Sequence, residues 1–88
     1  MGISVQVSLY PLRQASLSPA IDQAMRILRE HGLEVKPGAM SSLITGEDTA
    51  IFVALQEAFR RAAENGPVVM MATFSNACPV LSGVDESG

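Results

Sequence analysis

Apolar and polar residues alternate from the first residues of the chain. Ile3, Val5, Val7 and Leu9 interleave with Ser4, Gln6, Ser8 and Tyr10. That is the period-two pattern of a β-strand with one buried face, over residues 3–10. Pro11 ends the regular pairing, and "RQAS" is a short connector. Ser18-Pro19 marks a helix start, with Ser18 able to cap and Pro19 suited to the first helical position. Ile21, Ala24, Met25 and Leu28 follow at i, i+3, i+4 and i+7 and so share one helical face; Arg26, Arg29 and Glu30 fall outside it. His31 lies in the last turn as a C-terminal charge and cap partner, and Gly32 occupies the left-handed position beyond it.

Residues 33–36 form a short second strand, and Pro37-Gly38 a turn. Residues 40–45 read as the third strand. Thr45-Gly46-Glu47-Asp48 has the form of a capping box before a second helix. In that helix Phe52, Leu55, Phe59 and Ala62 make the expected buried stripe, flanked by Ile51 and Ala58, while Glu57, Arg60, Arg61 and Glu64 face water. Gly66-Pro67 stops it, and residues 68–76 give the last strand.

The order β-α-β-β-α-β predicts an α+β, ferredoxin-like domain: a four-stranded antiparallel sheet, spatial order 4-1-3-2, with both helices on one face. The expected domain spans residues 1–79. Residues 80–88, small and acidic, are expected to be a loose tail.

Two helices on one face leave the other face of the sheet open, and strand parity says what lines it. On the first strand the open face receives Ser4, Gln6, Ser8 and Tyr10. On the last strand Val68, Met70, Ala72 and Phe74 point inward, leaving Val69, Met71, Thr73 and Ser75 outward. On the third, Met40, Ser42 and Ile44 point inward and Ser41, Leu43 and Thr45 outward, although a bulge would exchange the two serines. The central strands thus present hydroxyls, an amide, a phenol and some apolar groups to the open side, without a formal charge. Such a surface suits cover by another subunit, or a pocket that holds a neutral or cationic heterocycle through hydrogen bonds and stacking.

The composition sharpens this choice. An 88-residue chain buries only about 60–65% of its unfolded surface, yet 48% of its residues are hydrophobic. A surplus of that kind is commonly hidden in an oligomer interface. Six basic and nine acidic residues give a net charge of −3, which argues against nucleic acid as a partner. No apolar run approaches the roughly 20 residues that span a membrane, and no signal-peptide pattern opens the chain. One cysteine, Cys78, excludes an intrachain disulfide. Together these predict a cytoplasmic protein.

Catalytic and metal chemistry find little support. The single histidine and single cysteine lie far apart in sequence, with no cluster of metal-ligating residues around either. No nucleophile elbow occurs, and "TGED" lacks the glycines and lysine of a phosphate loop. Cys78 reads as a small thiol without a base beside it. No enzyme, metal site or cofactor is expected.

Two end motifs bring a family into view. Val7-Ser8-Leu9-Tyr10-Pro11 and Thr73-Phe74-Ser75-Asn76-Ala77-Cys78-Pro79 resemble the "FSLYP" and "TFSxxCP" motifs of the YkoF-type thiamine/hydroxymethylpyrimidine-binding proteins. Ser41-Ser42-Leu43-Ile44-Thr45-Gly46 is similar to that family's S-T-V-L-x-G strand. The resemblance runs from about residue 4 to residue 79. It implies a ferredoxin-like domain that binds thiamine or its pyrimidine precursor without converting it, in vitamin uptake or salvage. The family's type member carries two such domains in tandem, so a homodimer or homotetramer of this chain would restore the pair. Val7 stands where the motif has Phe.

Gln6, Ser8, Tyr10, Ser41, Thr45, Met71, Thr73 and Ser75 are therefore the expected ligand-binding residues. Uncharged hydroxyls and an amide can both donate to and accept from an aminopyrimidine, and Tyr10 and Met71 offer contact to a flat ring. A competing expectation is an ACT-like regulatory or assembly domain that binds an amino acid or only itself. The connector "RQASLS" lacks the glycine usual at such amino-acid sites.

Overall fold

The computed structural model describes residues 1–13 and 18–77. Cys78, Pro79, the expected tail and the Ser18 side chain lie outside the described residues. The elements are β1 (Gly2–Pro11), α1 (Ser18–Glu30), β2 (Glu34–Pro37), β3 (Ser42–Glu47), α2 (Asp48–Ala63) and β4 (Val68–Ser75). They form one antiparallel sheet of order β2-β3-β1-β4, the expected order. β1 is central and the longest strand. Its alternation runs unbroken over Ile3, Val5, Val7 and Leu9, all of which are buried.

The helices cover this apolar side. Ala24, Met25, Ile27 and Leu28 of α1 and Ile51, Ala54, Leu55, Ala58 and Ala62 of α2 close the core over β1 and Ile44. α1 ends as its sequence predicts. Gly32 has φ +80°, its N–H donates to Arg29 O at 2.9 Å, and the N–H of buried Leu33 donates to Leu28 O at 3.3 Å. This pair of bonds satisfies the last carbonyls of the helix and turns Leu33 back onto the core.

Four expectations are corrected. First, Phe52 and Phe59 are not in the buried stripe of α2: they are 55% and 41% exposed. The stripe is centred on Ala54 and Ala58, whose small side chains let the helix lie close to the sheet. Large rings cannot fit in that narrow space and are displaced to its flanks. Second, Thr45 does not cap α2. It lies inside β3, its hydroxyl donates to Glu34 Oε1 at 3.3 Å, and the N-cap residue is Glu47, without a side-chain cap bond. Strand pairing of Ile3 with Gly46 and Gly2 with Glu47 holds Thr45–Glu47 extended, so the helix starts later. The first helical N–H, that of Asp48, is instead satisfied by Met1 O at 2.9 Å.

Third, Met40 is not an inward strand residue. It belongs to the turn between β2 and β3, where Gly38 N–H donates to Ser41 O at 2.8 Å, and it is 82% exposed. Ser42 does point inward, and is buried. Fourth, the His31 ring serves the other helix. Its Nε2 lies 2.7 Å from Glu57 Oε1, so a side-chain pair ties the end of α1 to α2. Beyond these, the last strand ends one residue early, at Ser75, and its inward-facing Phe74 is 42% exposed at the sheet edge.

Candidate functional site

Strand register arranges the open face in rows. Glu34, Thr45, Ser4 and Ser75 form the first row; Lys36, Leu43, Gln6 and Thr73 form the second. Ser8 and Met71 form the third, and Tyr10 and Val69 the fourth. Gln6, Ser8, Tyr10, Thr45, Met71, Thr73 and Ser75 therefore share one surface, and Ser41 borders it. They do not all share one small site. From Ser4 to Tyr10 is six residues of strand, about 20 Å at ~3.3 Å each. A single heterocycle can touch two neighbouring rows, so Tyr10 and Thr45 cannot contact the same ring.

The polar groups of the middle rows are already oriented. Gln6 Nε2 donates to Ser41 Oγ at 3.1 Å, and Ser8 Oγ donates to Met40 O at 3.2 Å. Both bonds cross from β1 to the turn preceding β3. In the first row Thr45 is bound to Glu34, and Ser75 Oγ accepts from Ala77 N–H at 3.1 Å. At the opposite end the face turns apolar, with Tyr10, Val69 and Met71 all substantially exposed.

Ser4 is the exception in this row. By parity it belongs to the open side, yet it is only 2% exposed, and its hydroxyl has no hydrogen-bond partner. Flanked by Thr45 and Ser75 and followed along the strand by Gln6, it is too short to reach past them. A buried hydroxyl left unpaired costs about 1–3 kcal/mol.

Sequence reasoning missed two charges on this face. Glu34 and Lys36 of β2 stand in the first and second rows, at the ends nearest the edge. The signal was available: Val35, between them, packs against the core, and alternation then sends its neighbours outward.

A second feature was not anticipated at all. Pairing of β1 with β3 stops at Val7 and Ser42, while pairing with β4 continues to Pro11. One edge of β1 is therefore free beyond Val7, and the turn before β3 passes across it. A cavity of about 100 Å³ opens there, lined by Val7, Ser8, Leu9, Met25, Met40 and Ser41 among others. An enclosed cavity of roughly 150 Å³ takes a benzene ring, so this open one can seat a single ring in part. It adjoins a wider cleft of about 380 Å³ between α1 and the β2–β3 turn, and the two share Ile21, Met25, Gly38 and Ser42. Ser8 and Ser41 thus line the smaller cavity, where the open face meets the sheet's gap.

No group of three or more His, Cys, Asp or Glu side chains suited to a metal occurs among the described residues. Among them, too, no helix is long and apolar enough to cross a membrane.

Known proteins of similar shape share this arrangement of strands and helices. A hypothetical protein of Methanocaldococcus jannascii superposes with a TM-score of 0.80 at 25% identity, over 85% of this chain and 79% of its own. A Streptococcus pneumoniae protein gives 0.79 at 23% identity, over 93% and 92%. A candidate thiamine biosynthesis/salvage protein of Thermotoga maritima gives 0.75 at 18% identity, over 85% and 83%. No curated protein matches the sequence significantly. The YKOF-related family model matches residues 3–81, nearly the whole chain, and the chain belongs to the YkoF-related family.

Proposed function

We propose that this domain, residues 1–79, binds thiamine or its hydroxymethylpyrimidine moiety without converting it, in uptake or salvage of the vitamin. The observation that carries the reading is family membership across residues 3–81, joined to an uncharged polar surface on the central strands of the kind an aminopyrimidine needs. The Thermotoga maritima protein of the same fold, described as a candidate for thiamine biosynthesis or salvage, supports it.

Within the open face, Gln6, Ser8 and Ser41 form the centre of the proposed site. Gln6 and Ser8 lie in adjacent rows with Ser41 beside them; Gln6 is bonded to Ser41 and Ser8 to Met40 O, bonds a ligand can replace at little cost, and Ser8 and Ser41 line the cavity. Thr73 and Met71, opposite Gln6 and Ser8 on β4, complete one side: a hydroxyl for a ring nitrogen or amino group and a thioether for the ring face. Tyr10, Thr45 and Ser75, a row further out on either side, contact the longer ligand or a second subunit. The exposed Tyr10, Val69 and Met71 form an apolar end that a homodimer or homotetramer would cover, bringing two such sites together. The protein acts in the cytoplasm on this reading, with neither nucleic acid nor membrane as partner.

Isothermal calorimetry with thiamine, hydroxymethylpyrimidine and a panel of amino acids tests the proposal. Saturable heat with the first two and none with amino acids is expected. Ser8→Leu, which removes a hydroxyl and fills the junction, should weaken binding by ~2 kcal/mol or more with the fold intact. Absence of heat from both vitamin forms at millimolar ligand overturns it.

A further inference from the structure

The cleft beside α1 differs in charge from the rest of the molecule. Its wall carries Arg26 and Arg29, three positions apart and so on one side of the helix. The protein has six basic residues and a net charge of −3, and two of the six stand here. Among the described residues neither guanidinium makes an ion pair, whereas Arg61 is placed near Glu57. Asp22, one turn before Arg26, is the one acidic side chain in the lining. It forms no salt bridge with Arg26 despite the i, i+4 spacing. The opposite wall is Pro37, Gly38 and Ser42, and the inner end runs into the smaller cavity at Ser8 and Ser41.

We propose that the ligand of this protein carries a phosphate or diphosphate group, and that Arg26 and Arg29 hold that group at the outer end of the cleft. The identity of the ring rests on the pyrimidine-binding reading above; the anion site rests on the cleft itself. An elongated ligand seated with its uncharged ring at Ser8 and Ser41 would direct its far end along the cleft, past Ile21 and Met25, to the two arginines. Guanidinium groups suit a phosphate there because their planar donors can bind two oxygens at once. Ser42, on the wall shared by both spaces, adds a hydroxyl. Asp22 opposes the anion, which sets the sign of one test. Both arginines are exposed, so the contribution is moderate and screened by salt.

Calorimetry comparing thiamine with thiamine monophosphate and diphosphate reads the proposal directly. The phosphorylated forms should bind at least tenfold more tightly at low salt, with the difference shrinking at high salt. The double variant Arg26→Gln/Arg29→Gln should erase the difference and leave affinity for thiamine within about twofold. Arg60→Gln/Arg61→Gln, the same charge change on α2, should leave it intact. Asp22→Asn should increase it. Equal affinity for the phosphorylated and unphosphorylated forms overturns the proposal, as does a preference that survives in Arg26→Gln/Arg29→Gln. If no thiamine form binds, the pyrimidine reading fails, and inorganic pyrophosphate alone then decides the anion site. A thermal shift of the parent that is lost in Arg26→Gln/Arg29→Gln upholds the site; no shift overturns it.

Discussion

Phe52 of α2 and Phe74 of β4 stack with ring centroids 4.8 Å apart and planes inclined by 17°, although each ring is about half exposed. The pair ties the first turns of the second helix to the end of an edge strand. Its energy comes from the faces the rings cover for each other. Phe52→Ala should therefore cost about 1 kcal/mol, well below the ~2–5 kcal/mol expected for Leu28→Ala in the core. A double-mutant cycle with Phe74→Ala, read by urea unfolding, should give a coupling of roughly 0.5–1.5 kcal/mol. Strict additivity would mean that the rings do not interact in solution.

Gly46 is a place where the chain has no room. A Cβ there would stand 2.5 Å from Leu33 Cδ2, and Leu33 is a buried side chain fixed by the end of α1. Gly46→Ala should destabilise by about 1–3 kcal/mol through forced repacking. Gly2→Ala, in the paired strand but with nothing within 4 Å of the added carbon, should be close to neutral. Similar unfolding midpoints for the two variants would contradict the packing assigned to Leu33.

Thr45 separates two accounts of how α2 begins. If its hydroxyl capped the helix, Thr45→Val would cost about 1 kcal/mol. Located mid-strand with its hydroxyl on exposed Glu34, it should tolerate valine, a good strand residue. A change within about 0.5 kcal/mol is expected. Glu34→Gln gives the complementary measurement and should be equally mild.

These outcomes trace what was readable in the sequence. Strand parity was legible wherever a strand runs straight, as over Ile3 to Tyr10, because period two has only two phases and the apolar phase must face the helices. Strand order followed from the sequence of elements alone. The stripe of α2 was misread because Phe52 and Phe59 weigh more on any hydropathy scale than Ala54 and Ala58. What decides burial there is the gap between helix and sheet, a tertiary property. The capping motif at Thr45 was overridden by pairing with β1, again from a distant part of the chain. The cleft and its two arginines were invisible for a similar reason. They depend on β3 parting from β1 at Ser42, a boundary that hydroxyl-rich Ser41-Ser42 does not announce.

Ser4 makes the last test, because the sign of the effect is informative. Its hydroxyl is buried without a partner in the isolated chain, and its neighbours Val5 and Ile3 are fully engaged in the core. Ser4→Ala removes one oxygen, leaves the strand and the packing of Thr45 and Ser75 in place, and relieves an unmet donor. The isolated protein should therefore become more stable, by up to about 1 kcal/mol. Ser8→Ala, which removes the donor of a formed bond to Met40 O, should lose a similar amount. Thermal unfolding of both variants at low protein concentration measures this contrast. A loss of stability in Ser4→Ala would mean that the hydroxyl is bonded in the free protein and would overturn its description as an unpaired buried group.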